Sequence, residues 1–127
     1  MTDSRILVCD ECKTMVMLLN RGDGELCCDK KPMRALTANT TDAAQEKHVP
    51  AVTVNGNEVT VQVGITAHPM MAEHYIQWIY LQTKNGGQYR RLMPNDKPAA
   101  VFIVAPDDTP VAVYEYCNLH GLWKADV

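Results

Sequence analysis

Near the end of the 127-residue chain, Glu115-Tyr116-Cys117-Asn118-Leu119-His120-Gly121-Leu122-Trp123 sets a thiol and an imidazole three residues apart. At that spacing one short turn can aim both donors at a single metal ion, and Gly121 behind them can take the backbone conformation such a turn needs. A CxxH pair alone is a weak signal. The other histidines, His48, His68 and His74, lie upstream with no further cysteine near them, so convergence would use one cysteine and all 4 histidines of the chain. Each of the three has a plain alternative: His48 as a loop residue, His68 and His74 as the flanks of a surface turn over Pro69-Met70-Met71-Ala72-Glu73. Four neutral imidazoles suit a first-row transition metal, and one thiolate adds electron donation that a site of hard oxygens lacks. An axial thiolate pushes density onto haem iron. The same reasoning applies to a non-haem iron with four equatorial imidazoles, which keeps one position open.

A second group stands at the other end. Cys9-Asp10-Glu11-Cys12 is followed by the adjacent Cys27-Cys28, and four thiolates suit tetrahedral zinc or iron without distinguishing the two. Adjacent cysteines reach one ion only from a strained or kinked backbone. An iron centre here would also carry electrons, a zinc ribbon-like site would staple the module, and a disulfide pair is the third reading. The cysteine count of 5 is odd, and Met1-Thr2-Asp3-Ser4-Arg5 lacks the basic and apolar regions of a secretion signal. A reducing cytoplasm, which favours metal ligation over disulfides, is the expected setting.

The elements that position these donors are short. Arg5-Ile6-Leu7-Val8 and Met15-Val16-Met17-Leu18-Leu19 read as strands around the first cysteine pair, and Asn20-Arg21-Gly22-Asp23-Gly24 as a turn before the second; the unit closes at Pro32-Met33. A unit of that size cannot bury enough apolar area without a staple. The span 35–46, rich in Thr, Ala, Asn and Asp, reads as linker. Beyond it, 49–54 and 58–65 form a hairpin about Asn55-Gly56-Asn57, with Val59, Val61 and Val63 alternating against polar residues. A second hairpin joins 75–81 to 88–92 through Asn85-Gly86-Gly87, and strands 99–105 and 111–117 flank the turn at Pro106-Asp107-Asp108-Thr109-Pro110. Strands at this spacing, with no convincing helix, predict an antiparallel β-sandwich or barrel.

Composition removes other classes. Hydrophobic residues at 46% and charged residues at 21% are globular values, and no apolar run approaches a membrane span. A net charge of −3 argues against a general nucleic-acid binder.

Glu46-Lys47-His48-Val49-Pro50, then His68-Pro69-Met70 with Glu73-His74-Tyr75-Ile76, then Tyr116-Cys117-Asn118-Leu119-His120-Gly121-Leu122-Trp123 closely resemble the superoxide reductases. With the four-cysteine module in front, the chain resembles their two-iron form, the desulfoferrodoxins, over essentially its full length. That resemblance implies an all-β chain: a small desulforedoxin/rubredoxin-like four-cysteine iron module over 1–36, then an immunoglobulin-like antiparallel β-sandwich, the catalytic domain, over 37–127 with 37–46 as linker. It implies two iron ions, one on Cys9, Cys12, Cys27 and Cys28, the other held equatorially by His48, His68, His74 and His120 and axially by Cys117. It further implies one-electron reduction of superoxide to hydrogen peroxide, re-reduction by an external donor such as rubredoxin, and a homodimer. Lys47 would attract the anion and order the water that supplies protons, and Glu46 would reach the sixth position of the iron after turnover. Two departures concern the first module. Lys13 stands where glycine usually follows the CxxC, and the spacing from Cys12 to Cys27 is one residue short while Asp29-Lys30-Lys31 before Pro32 is one long. Two other readings stand beside this one: a zinc ribbon joined to a β-sandwich as a binding module, and a simple electron carrier using the first centre.

Overall fold

A computed structural model describes residues 5–127; residues 1–4, at the start of the first predicted module, lie outside the described residues. The chain divides into two compact units, Met1–Thr37 and Ala38–Val127. In the first, β1 (Ile6–Val8) lies between β2 (Met15–Met17) and β5 (Arg34–Ala35), while β3 (Cys27–Cys28) and β4 (Lys31–Pro32) make a separate hairpin. The two residues joining that hairpin, Asp29 and Lys30, both have positive φ, at 51° and 66°. A two-residue turn of this hand matches the twist of the strands it joins, which is why the chain accepts two non-glycine residues there. Only Ile6, Leu7, Val8, Cys9 and Leu36 are buried among the described residues of this unit. So small an apolar core leaves the unit dependent on a further staple.

The second unit opens with α1 (Gln45–His48), a single turn where the sequence predicted linker and no helix. The stretch before it is pinned rather than free: Asn39 receives the Lys124 amide at its Oδ1 and donates from its Nδ2 to the Lys124 carbonyl. Seven strands follow: β6 (Pro50–Asn55), β7 (Glu58–Val63), β8 (Ile76–Thr83), β9 (Gly87–Arg91), β10 (Ala99–Ile103), β11 (Pro110–Cys117) and β12 (Gly121–Asp126). They form a three-stranded sheet in the order β10-β7-β6 and a four-stranded sheet in the order β12-β11-β8-β9, antiparallel throughout. Valines 59, 61 and 63 of β7 are fully buried while Glu58, Thr60 and Gln62 face outward, the alternation seen in the sequence. They pack with Ile76, Ile79 and Leu81 of β8, Phe102 of β10 and Val113 of β11 into one core between the two sheets.

The result is the all-β architecture anticipated, with three- and four-stranded sheets as in an immunoglobulin-like sandwich. Strand β12 was not anticipated. It forms because Gly121, at φ 82°, reverses the chain and lets Leu122 and Trp123 pair with Tyr116 and Glu115. Among the described residues no helix is long and apolar enough to cross a membrane.

Candidate metal centres

Three connections at one end of the sandwich carry the histidines and Cys117. His48 ends α1, His68 and His74 lie between β7 and β8, and Cys117 and His120 bracket the turn from β11 to β12. One ligand atom from each of the five falls within 4.8 Å of every other. The imidazoles form a closed square: His48 to His68 at 4.7 Å between ring centroids, His68 to His74 at 4.7 Å, His74 to His120 at 5.1 Å and His120 to His48 at 4.9 Å. Each ring stands nearly perpendicular to the next, with interplanar angles of 78°, 80°, 79° and 88°. Cys117 is fully buried.

Hydrogen bonds decide which nitrogens are bare. His48 Nδ1 lies 2.7 Å from the Ala44 carbonyl and His68 Nδ1 lies 2.7 Å from the Pro69 carbonyl; a carbonyl only accepts, so both Nδ1 atoms carry the proton. The two Nε2 lone pairs then face each other at 3.2 Å, and His48 Nε2 lies 3.1 Å from His120 Nδ1. His74 Nε2 is buried with no hydrogen-bond partner among the described residues. Facing lone pairs and a buried orphan nitrogen are unfavourable without a cation between them. Two donors about 2.1 Å from a metal and at right angles are separated by about 3.0 Å, close to both contacts. The residues therefore fit a first-row metal ion.

Electrostatics agree. Burial pushes the His68 pKa down to about 4 against the opposing pull of the Pro69 carbonyl. Burial likewise lowers His48, opposed by the Ala44 carbonyl, and lowers His74, assisted by His120 and the Lys47 ammonium. All three are held as the neutral bases a metal requires. Burial raises the Cys117 thiol while the Leu119 and His120 amides act in the opposite direction, so the thiolate needs a cation beside it. Lys47 and Glu46 thus make themselves felt at the site: the ammonium acts on His74, and the Glu46 charge acts on His48.

The surroundings include residues that the sequence reading did not assign. Trp123 stacks on His48 at 5.0 Å and donates from Nε1 to the His120 carbonyl at 3.0 Å. Gly64 packs so closely that a Cβ there would lie 2.5 Å from the Glu46 carbonyl oxygen, while the Thr66 amide donates to the same oxygen at 2.9 Å. These two contacts seat the Glu46-Lys47-His48 turn. Glu115, two residues before Cys117, is fully buried with neither carboxylate oxygen partnered among the described residues. An acidic residue in the middle of an apolar strand was the one signal that could have drawn attention to it.

In the first unit, Cys9, Cys12 and Cys28 converge and Cys27 does not. Cys27 and Cys28 are consecutive in β3, and consecutive strand residues point to opposite faces. The exposed Cys27 Sγ faces Glu25 instead, 3.9 Å from its carbonyl oxygen and from Oε1. The Cys12 and Cys28 sulfurs are 3.5 Å apart, far from a disulfide bond and near the roughly 3.8 Å between two thiolates on one tetrahedral ion. Hydrogen bonding to Thr14, first through its hydroxyl, lowers Cys12 to about 7, while hydrogen bonding to the Cys9 and Cys12 sulfurs pushes Cys28 up to about 12. Thiols hydrogen-bonded to one another in this way form a donor set whose protons a bound cation would replace. Lys13 adopts φ 68°, the conformation glycine would favour, and donates its backbone amide to the Cys9 carbonyl at 2.8 Å. The knuckle keeps its shape without glycine.

Comparison with known proteins gives concordant matches. The sequence model of the Desulfoferrodoxin family matches residues 40–126. A desulfoferrodoxin from Clostridium acetobutylicum is 47% identical over 125 residues, covering 98% of each chain. One from Syntrophotalea carbinolica is 49% identical over 119 residues, covering 93% of this chain and 92% of that one. The crystal structure of the superoxide reductase from Treponema pallidum superposes with a TM-score of 0.79 at 38% identity, over 95% of this chain and 98% of that one.

Proposed function

This chain belongs to the desulfoferrodoxin family, and from that premise we propose that it is a superoxide reductase with two iron ions. The observation that carries this reading is the square of four imidazoles with buried Cys117 among its donors. His48, His68, His74, His120 and Cys117 would hold the catalytic iron. The chemistry iron supplies there is a one-electron couple, so that superoxide gains one electron and two protons and leaves as hydrogen peroxide.

The protein's own residues do the rest. The Ala44 and Pro69 carbonyls keep the His48 and His68 lone pairs turned toward the centre, and Trp123 holds the His48 ring from outside. Cys117, sealed in the interior, would hold the iron as a thiolate and supply electron density that favours giving an electron away. Lys47, whose charge acts on His74, draws the anion toward the site and orders the water that delivers protons. Glu46, one residue earlier on the same turn, is the carboxylate able to close the site after turnover. Cys9, Cys12 and Cys28 would hold the second iron, with Cys27 completing a four-thiolate set once its side chain turns inward. A rubredoxin-like protein in the cytoplasm is the proposed electron donor and a homodimer the proposed assembly.

Stopped-flow mixing of the pre-reduced protein with pulsed superoxide tests the reading. Oxidation of the thiolate-imidazole site at a near-diffusional rate, with peroxide and no oxygen formed, is the expected result. Oxygen release, or no oxidation at all, would refute it.

A further inference from the structure

We infer that Asn118 is the residue that positions His74, by tying the loop that carries it to the turn that carries Cys117 and His120. The inference rests on the metal site proposed above. His48 and His68 each have a ring nitrogen anchored on a backbone carbonyl, at 2.7 Å in both cases. His74 has no such anchor: among the described residues neither ring nitrogen is hydrogen-bonded to a carbonyl, its Nε2 is bare like those of His48 and His68, and its ring neighbours are the other imidazoles. Its orientation must come from its backbone.

That backbone lies outside the regular ladders. On one side the His74 amide donates to the Met71 carbonyl at 3.0 Å and the Met71 amide donates back at 2.9 Å, an isolated bridge. On the other side a single residue supplies the remaining hold. The Asn118 Nδ2 donates to the Glu73 carbonyl at 3.0 Å, the Tyr75 amide donates to Asn118 Oδ1 at 2.9 Å, and the Asn118 amide donates to the Tyr75 carbonyl at 3.2 Å. The two residues flanking His74 are therefore both bound to the residue directly following Cys117. No aliphatic side chain of similar size can reproduce a donor and an acceptor aimed at peptide groups two residues apart. Through this clamp the spacing of His74 from Cys117 and His120 is set before any metal arrives.

The test is a double-mutant cycle read as metal affinity. Co²⁺ is titrated into the metal-free full-length protein, and its binding at the imidazole-thiolate site is followed by the absorption bands that separate it from the cysteine-rich module. Asn118→Leu in the wild-type background should weaken Co²⁺ binding by roughly tenfold to a hundredfold, the range typical of groups that orient metal ligands. In the His74→Ala background the same substitution should have little further effect, since the ligand it positions is gone. Equal weakening in both backgrounds, or none in the first, would overturn the inference in favour of a general structural role. Asn118→Asp, which keeps the acceptor for Tyr75 and loses the donor to Glu73, carries the same cycle should the leucine variant fail to fold, with a smaller factor expected and the same overturning result. Because the readout is metal affinity, a failure of superoxide reduction in the wild-type protein would sink the proposed function and leave this cycle standing.

Discussion

Replacing Glu115 by glutamine should stabilise the protein, and by an amount that grows with pH. Glu115 is fully buried on β11 with both carboxylate oxygens unpartnered among the described residues, and burial raises its pKa well above 4.5. Below about pH 4.5 the group is protonated in both the folded and the unfolded chain and contributes no pH dependence. Above it the unfolded chain releases the proton while the folded chain retains it, so stability falls with rising pH by about 1.4 kcal/mol per unit until the folded-state pKa is passed. Glutamine has nearly the same shape and leaves a polar group unsatisfied, but it has no proton to lose. Between pH 5 and pH 7 the difference between the two proteins should therefore widen by up to about 2.7 kcal/mol. Guanidinium denaturation of both proteins at equal iron loading, over a pH series, measures it; the other titrating groups are common to both and cancel. A difference that stays flat with pH would refute the reasoning. It would mean that Glu115 is charged in the folded protein and has found a compensating partner.

Lys47→Ala should slow the encounter with superoxide and flatten its dependence on ionic strength while iron content is unchanged; identical second-order kinetics over a salt series would reject the steering role. Gly64→Ala should lower the superoxide rate, by an order of magnitude or more, without touching the first centre, because the new Cβ would meet the Glu46 carbonyl at 2.5 Å and displace the turn that bears Lys47 and His48. Unaltered stopped-flow kinetics would show that the turn relaxes freely. Lys13→Gly should stabilise the first module by about 1 kcal/mol, since φ 68° costs a non-glycine residue roughly that much; thermal loss of the module's visible absorption reports it. Cys28→Ser should abolish that absorption, whereas Cys27→Ser should shift it and retain metal, because three sulfurs gather without Cys27. Both variants should keep superoxide reduction by pre-reduced protein, as single-turnover assays can check.

The sequence by itself determined the chemistry available and the class of scaffold. Valines 59, 61 and 63 alternating with polar residues mark a half-buried strand, and β10 shows the same alternation of burial. One cysteine and four histidines in three separated motifs already contained the donor set, and Gly121 marked the turn that needed it. The tertiary structure decided which donors meet and what holds them. Cys27 turns away because adjacent residues of a strand face opposite sides, a fact that counting cysteines does not contain. Asn118 reaches across 43 positions to Tyr75, Gly64 is pressed against Glu46, and Glu115 is sealed in the interior two residues from Cys117. Local spacing records how neighbours along the chain are related. It carries no record of contacts between distant segments, and those arise only when two sheets close over a common core.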